Sequence, residues 1–376
     1  MAYRVEFGVP VAAAPASMPA LTRSAVGELL CAFSTRWEPF PRGGELQLVR
    51  SADEGRTWSR PETLWRSPDP RVTINCCVGM ATLRDGTVLL PALYSLVPKK
   101  AEPPGAEVGG EAGVIGMYEL GDLGANRRHL HCLRSGDHGQ TWTNIAVGGP
   151  PPGGGIMRFG RLLERHNGEL LLPAYTYFSM TTESEGSPGF FRSRDKGWTW
   201  GPFEPVPVGW TSEMNLLELR DGTWLALIRD LPGPQRRIFG MTCSTDEGRT
   251  WAPVWSTGVQ GKMPDLWEAE DGRLLLVVGC EGNYKGFEIY RKRERRTFNV
   301  LFSSGDGGRT WQRELEMPPL DDHTQAIPAD EPAMVPLGDG RYYVVSQLID
   351  RGADRQSHPA DWDYYFSLQG NLLAPV

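Results

Sequence analysis

Ser51-Ala52-Asp53-Glu54-Gly55-Arg56-Thr57-Trp58 returns four more times, as Ser135–Trp142 (SGDHGQTW), Ser193–Trp200 (SRDKGWTW), Ser244–Trp251 (STDEGRTW) and Ser304–Trp311 (SGDGGRTW). A unit repeated at this period decides architecture before any single residue does. Ser and Asp side chains hold a tight turn by bonding nearby backbone N–H groups. Gly supplies the positive φ that closes it, Thr starts the next strand, and Trp offers a broad apolar face to staple one sheet to its neighbour. Each copy therefore reads as a turn between antiparallel strands. The spacing of a calcium-binding EF-hand loop and its distal Glu are missing, so no metal is expected in the turn.

A second repeat interlocks with the first. Two apolar runs flank a turn six times: Leu21–Phe33 around Gly27, Ala81–Tyr94 around Asp85-Gly86, Leu162–Tyr175 around Asn167-Gly168, Asn215–Arg229 around Asp221-Gly222, Asp265–Gly279 around Asp271-Gly272 and Ala333–Gln347 around Asp339-Gly340. Asn-Gly and Asp-Gly between apolar runs predict hairpins with two-residue turns. Five hairpins are followed by another strand, the eight-residue turn and a fourth strand. The expected fold is all-β: one domain over residues 1–376, a six-bladed β-propeller of four-stranded antiparallel blades. The sixth blade lacks the eight-residue turn. Its third strand is expected in 361–368 and its fourth from Tyr3–Val11, which closes the ring and removes two exposed edges.

Composition agrees. Forty-five Gly and 31 Pro suit a fold full of turns, and five of the 13 Trp close the repeats. A net charge of −7 argues against a nucleic-acid binder. Arg far outnumbers Lys, which suits forked recognition of carboxylates where several converge, or reflects genomic bias. The six Cys (Cys31, Cys76, Cys77, Cys132, Cys243 and Cys280) show no CxxC and read as buried thiols in a reducing compartment. No secretory leader or membrane span is visible in the sequence, so a soluble, cytoplasmic protein without a membrane partner is expected.

The eight-residue repeat resembles the Asp box, or BNR repeat, of the sialidase superfamily. The resemblance implies a propeller whose Asp boxes lie on outer turns, away from the site. It also implies a site at the central channel, built from residues just before each innermost strand and at the ends of second strands. Family members hold a substrate carboxylate with three Arg, activate a Tyr nucleophile with a Glu and use an Asp as acid/base. Glu213-Met-Asn-Leu-Leu-Glu-Leu-Arg-Asp-Gly…Leu-Ile-Arg229 resembles the segment with the activating Glu and second Arg, which gives Glu213 and Arg229 those roles. Arg296 resembles the third Arg, and Arg36 an additional site Arg. Three positions depart from the pattern. Ser17-Met18-Pro19 stands where the family has Arg-Ile-Pro, Glu38 is the nearest carboxylate to the acid/base position, and Glu331 stands where the Tyr is expected. The chain reads as a divergent member.

Two carboxylates flanking a glycosidic bond serve as acid and base, or as acid and nucleophile. Glu213 and Glu331 are the leading candidates, with Glu38 or Asp330 as alternates. Arg36, Arg158, Arg229 and Arg296 are expected to hold an anionic sugar by bidentate hydrogen bonds. Asn75 and Asn215 add amides, and Tyr177 or Tyr175 a face for a sugar ring. Met18, Met157, Met214 and Met263 recur at similar positions and read as inner-core packing. The expected activity is a sialidase-like exo-glycoside hydrolase acting on a carbohydrate with an ulosonic or uronic acid, without cofactor or metal. Two alternatives stay open: a glycan-binding propeller without catalysis, and a lyase on a uronic-acid polymer with Tyr177, His323 or Lys262 as base.

Overall fold

The computed structural model describes residues 2–13, 15–35, 44–66, 72–75, 79–96, 128–148, 155–157, 160–177, 187–209, 213–229, 231, 238–279, 299–317, 327–328, 331–350 and 365–376. They form six antiparallel sheets, with no helix among them. The first strand, β1 (Tyr3–Ala12), belongs to the last blade. Blade one is β2 (Ser17–Arg23), β3 (Leu29–Ser34), β4 (Glu45–Ser51) and β5 (Glu62–Arg66). In blade two, β6 (Val72–Asn75) and β7 (Ala81–Thr82) share β8 (Val88–Leu96), followed by β9 (Arg128–Ser135) and β10 (Thr143–Gly148). In blade three, β11 (Gly155–Met157) and β12 (Leu163–Glu164) share β13 (Leu170–Tyr177), followed by β14 (Ser187–Ser193) and β15 (Glu204–Pro205). Blade four is β16 (Met214–Glu218), β17 (Trp224–Ile228), β18 (Ile238–Ser244) and β19 (Trp255–Gln260). Blade five is β20 (Lys262–Glu268), β21 (Leu274–Gly279), β22 (Asn299–Ser304) and β23 (Gln312–Met317). In blade six, β24 (Ile327–Pro328) and β25 (Ala333–Gly338) share β26 (Arg341–Asp350), then come β27 (Tyr365–Pro375) and β1.

The six-bladed architecture is the one expected, and so is its closure: β1 pairs antiparallel with β27 from Tyr3↔Pro375 to Ala12↔Leu368. Among the described residues blade six's third strand runs beyond the expected end at 368, because β27 pairs with β26 as far as Leu373 and with β1 as far as Pro375.

The hairpin loops differ from expectation in five of six cases. In blade two Leu83 N donates to Thr87 O at 2.7 Å and Gly86 N to Leu83 O at 2.9 Å, so the loop is the three residues 84–86. The same pair of bonds recurs around Gly27, Gly168, Gly222 and Gly272, whose φ values lie between 82° and 91°. This is a type I turn finished by a left-handed Gly, which puts the Asp-Gly or Asn-Gly pair at its last two positions. Only blade six has the expected two-residue loop: Gly338 pairs with Arg341, and Asp339 and Gly340 have φ of 54° and 71°.

In all five S-x-D-x-G-x-T-W turns, the Ser Oγ donates to Asp Oδ1 at 2.7–2.9 Å and accepts the Gly N–H at 2.7–2.9 Å. The Asp also accepts the Thr N–H at 2.8–2.9 Å and the Thr hydroxyl at 2.6–2.7 Å. The Thr hydroxyl, then the Thr N–H, hold Asp53, Asp246 and Asp306 down to about 2.

Six apolar clusters fill the six gaps between neighbouring blades. Trp58, Trp142, Trp200, Trp251 and Trp311 each pack against one of five of them, as a stapling Trp should. The sixth gap, between blades five and six, uses Trp267 and an edge-on Tyr3–Tyr342 pair at 6.0 Å. Arg residues clasp neighbouring blades on this turn face. Arg84 donates to His166 O at 3.1 Å and Arg165 O at 2.5 Å, Arg220 to Glu270 O at 2.8 Å and Ala269 O at 2.9 Å, and Arg23 to Leu337 O at 2.7 Å. Arg341 grips Glu54 with two bonds of 2.6 and 3.0 Å. These four Arg thus tie blades together on the face opposite the channel mouth.

Candidate active site

The opposite face breaks the repeat. Innermost strands are interrupted in blades two, three and six, and bulged at Met18-Pro19 in blade one and at Met263-Pro264 in blade five. Met18, Met263 and Glu331 have φ of 55°, 45° and 70°, and each precedes a proline. Such conformations cost about 1–3 kcal/mol each and persist only where surroundings impose them. Gly160 has φ of 102°, and a Cβ there would lie 2.2 Å from Met214 O. Only glycine lets blades three and four approach this closely.

Glu213 sits one residue before β16 and Arg229 one residue after β17, so the hairpin brings their backbones together: Arg229 N donates to Glu213 O at 2.9 Å. Their side chains form an ion pair through Arg229 Nη1 and Glu213 Oε1, with both residues buried. Glu331 occupies the equivalent place in blade six, ahead of Pro332 and β25, and is 1% exposed. Gln347, at the end of blade six's second run, accepts the Met18 N–H at 2.7 Å. Pre-strand residues and second-strand residues thus meet in two places, within the blade-four hairpin and between blades one and six.

Directly beneath these residues lies a polar crossing of the channel. Arg161 of blade three donates from Nη2 to Asp265 Oδ1 of blade five at 2.5 Å and to Met334 O of blade six at 2.9 Å. Asp265 Oδ2 accepts the Met334 N–H at 2.7 Å. Asp265 and Trp267 share one face of β20, and the guanidinium lies 3.4 Å from the Trp267 ring centroid. Burial pushes the Asp265 carboxyl up, while the charge and hydrogen bonds of Arg161 pull it back. Asn215 of β16 donates to Pro264 O at 2.5 Å and accepts a long bond of 3.4 Å from Arg161 N.

Of the residues expected at the site, Glu213, Arg229 and Glu331 lie at the mouth. Asn215 is nearby, but its amide ties blades together. Asn75 and Tyr177 are placed by their backbones alone, opposite Leu93 and Gly155. Tyr175 packs against the cluster between blades six and one together with Met18 and Met263, in line with a packing role for the two methionines. Arg36, Glu38, Arg158, Arg296, His323 and Asp330 lie outside the described residues. Lys262 is buried at the start of β20. Among the described residues no group of three potential metal ligands occurs, and no helix is long and apolar enough to cross a membrane.

Sequence reasoning missed Arg161 and gave Asp265, at the start of the fifth apolar run, no role. A usable signal existed: Arg161, Asn215 and Asp265 each stand seven residues before their turn glycines Gly168, Gly222 and Gly272. Ala20, Gly79 and Ala333 hold the same offset from Gly27, Gly86 and Gly340. Aligning hairpins on the turn glycine separates three polar inner residues from three small ones.

No curated protein matches the sequence. Among solved structures, a Dyadobacter fermentans protein of unknown function is similar with a TM-score of 0.73 at 20% identity, covering 100% of both chains. The Hadza microbial sialidase Hz136 gives 0.63 at 18% identity, over 99% of this chain and 65% of that one. The alpha-L-arabinanase of Penicillium chrysogenum gives 0.59 at 16% identity, over 98% of each chain. At these identities the likeness carries the fold. The BNR repeat-like domain matches residues 105–344. That span is well over half of the sequence, and the chain belongs to the BNR repeat-like family.

Proposed function

We propose that the protein is a sialidase-like exo-glycoside hydrolase whose acid and base are Glu331 and Glu213, acting on a glycan with an acidic sugar. The observation that carries this reading is the pair of buried carboxyls at equivalent pre-strand positions of blades four and six, at one end of the channel. Glu213, ion-paired with Arg229, is a carboxylate suited to act as base or nucleophile. Glu331 is the proton donor to the leaving group. The sialidase and the arabinanase with this fold support glycoside chemistry in such a propeller. The acidic sugar rests on the sequence expectation for Arg36, Arg158 and Arg296, which lie outside the described residues, together with Arg229.

The test is release of aryl alcohol from sialic-acid, ketodeoxynonulosonic-acid, glucuronic-acid and neutral glycosides. Wild type should cleave one acidic member, and Glu213→Gln and Glu331→Gln should each lower kcat by about 10²–10⁴-fold. Glu331→Gln should lose less on an activated leaving group than on a poor one, because protonation then matters less. Cleavage of neutral sugars alone overturns the acidic substrate, and no cleavage at all overturns the hydrolase. One observation favours a second reading, a non-catalytic glycan-binding propeller: Arg229 is already engaged by Glu213. Glycan binding without turnover establishes it.

A further inference from the structure

The Arg161–Asp265 crossing sits deep in the channel, where a propeller needs no ion pair to hold its blades together. Two of its contacts fall on strands that follow a candidate carboxyl. Met334, gripped through its O by Arg161 and through its N–H by Asp265, lies three residues beyond Glu331. Asn215, bonded to Arg161 N and Pro264 O, lies two residues beyond Glu213. Blade five stands between blades four and six and carries no carboxyl at its own mouth position, where Met263 stands instead. Yet its β20 joins the two neighbours: Pro264 O accepts from Asn215 of β16, and Asp265 accepts the Met334 N–H of β25. Trp267 locks the arrangement from the same strand, donating to Met334 O at 3.0 Å while its ring supports the guanidinium.

We propose that Arg161 and Asp265 are a positioning pair that sets the separation of Glu213 and Glu331 across blade five. This rests on the glycoside-hydrolase reading for its catalytic consequence, though not for its geometry. A cheaper way to fill the space exists: apolar side chains replace buried ion pairs with little loss, and often a gain, of stability. An ionic crossing imposes what packing does not, because forked donors and acceptors fix both distance and angle. Catalytic carboxyls tolerate little error, and a misplacement of about 1 Å costs on the order of 10²-fold in rate.

The experiment compares wild type, Asp265→Asn and the double variant Arg161→Met/Asp265→Leu in three measurements: thermal midpoint, kcat and KM on the best glycoside, and the Glu213–Glu331 carboxyl separation in crystal structures. Asp265→Asn should lower the midpoint and kcat together, because it leaves a buried guanidinium unmatched. The double variant separates the roles. It should regain the wild-type midpoint while kcat stays about 10²-fold down, KM changes by less than about threefold, and the carboxyl separation moves by about 1 Å or more. A double variant with wild-type kcat, or with an unmoved separation, overturns the proposal and leaves the pair a structural tie. If wild type cleaves nothing, the hydrolase reading has failed, and the crystallographic separation alone still decides whether the pair positions the two carboxyls.

Discussion

The two faces of this propeller follow opposite rules. On the turn face five S-x-D-x-G-x-T-W turns repeat the same bonds to within about 0.2 Å, and Arg side chains clasp one blade to the next. At the channel mouth the inner strands break or bulge, three residues before prolines take positive φ, and charged groups are buried as pairs. Repetition serves cohesion, since each gap between blades is the same problem. Departure from repetition marks the place where blades differ, which is where the proposed function puts a ligand without sixfold symmetry.

The largest expected effect tests the turn face. A Cβ at Gly55 would fall 2.0 Å from the Tyr343 ring, at φ of 86°. Tyr343 is fully buried and donates its hydroxyl to Gly55 O at 2.8 Å. Gly55→Ala should lower unfolding stability by about 4 kcal/mol or more, measured by denaturant titration, while activity per folded molecule is unchanged. An equal loss of both would break the division between the two faces.

An intermediate effect concerns acid. Burial lowers His131 of β9 from 6.5 to about 4, with Asn144 opposing. The unfolded chain binds this proton more readily, so the contribution is complete above about pH 6.5 and is lost as pH falls towards 4, up to about 3 kcal/mol. The turn-face aspartates behave otherwise. Their depressed values give stability that is present above about 4 and lost only as pH falls through about 2. Thermal midpoints of His131→Gln should stay flat from pH 6.5 to 5 while those of wild type fall. Parallel curves would remove His131 as the cause.

The smallest effect uses the same backbone conformation in open space. Gly222 has φ of 85°, and no atom lies within 4 Å of the place a methyl group would take there. Gly222→Ala should cost only about 1 kcal/mol, the left-handed penalty alone, read from the same denaturant titration. The contrast with Gly55 sharpens the claim that it is the neighbouring blade, and not the turn, that demands glycine.

Nearly all of the fold was legible because it is periodic: the six hairpins, the stapling Trp residues and the closure by β1 follow from patterns that repeat or are conspicuously missing once. The loop length was misread because Asp-Gly marks a two-residue turn and the end of a three-residue one alike. The candidate site was legible only as a set of positions: Glu213 and Arg229, which match the resemblance, and Glu331, which stands in place of its Tyr, are buried before or after inner strands. Arg161 and Asp265 did not show, because their meaning lies in a contact between residues 104 apart, and a polar residue inside an apolar strand looks like an interruption until its partner is found.

The pairing of β1 with β27 sets a timetable for synthesis. Residues 3–12 leave the ribosome about 350 residues ahead of 365–375, a wait of roughly 20 to 70 s at ordinary elongation rates. Throughout it the alternating strand Tyr3–Ala12 has its hydrogen-bonding edge unclaimed. Its Glu6 and Pro10 serve during that interval as guards against premature partners, and the nascent ring stays open until its two ends meet.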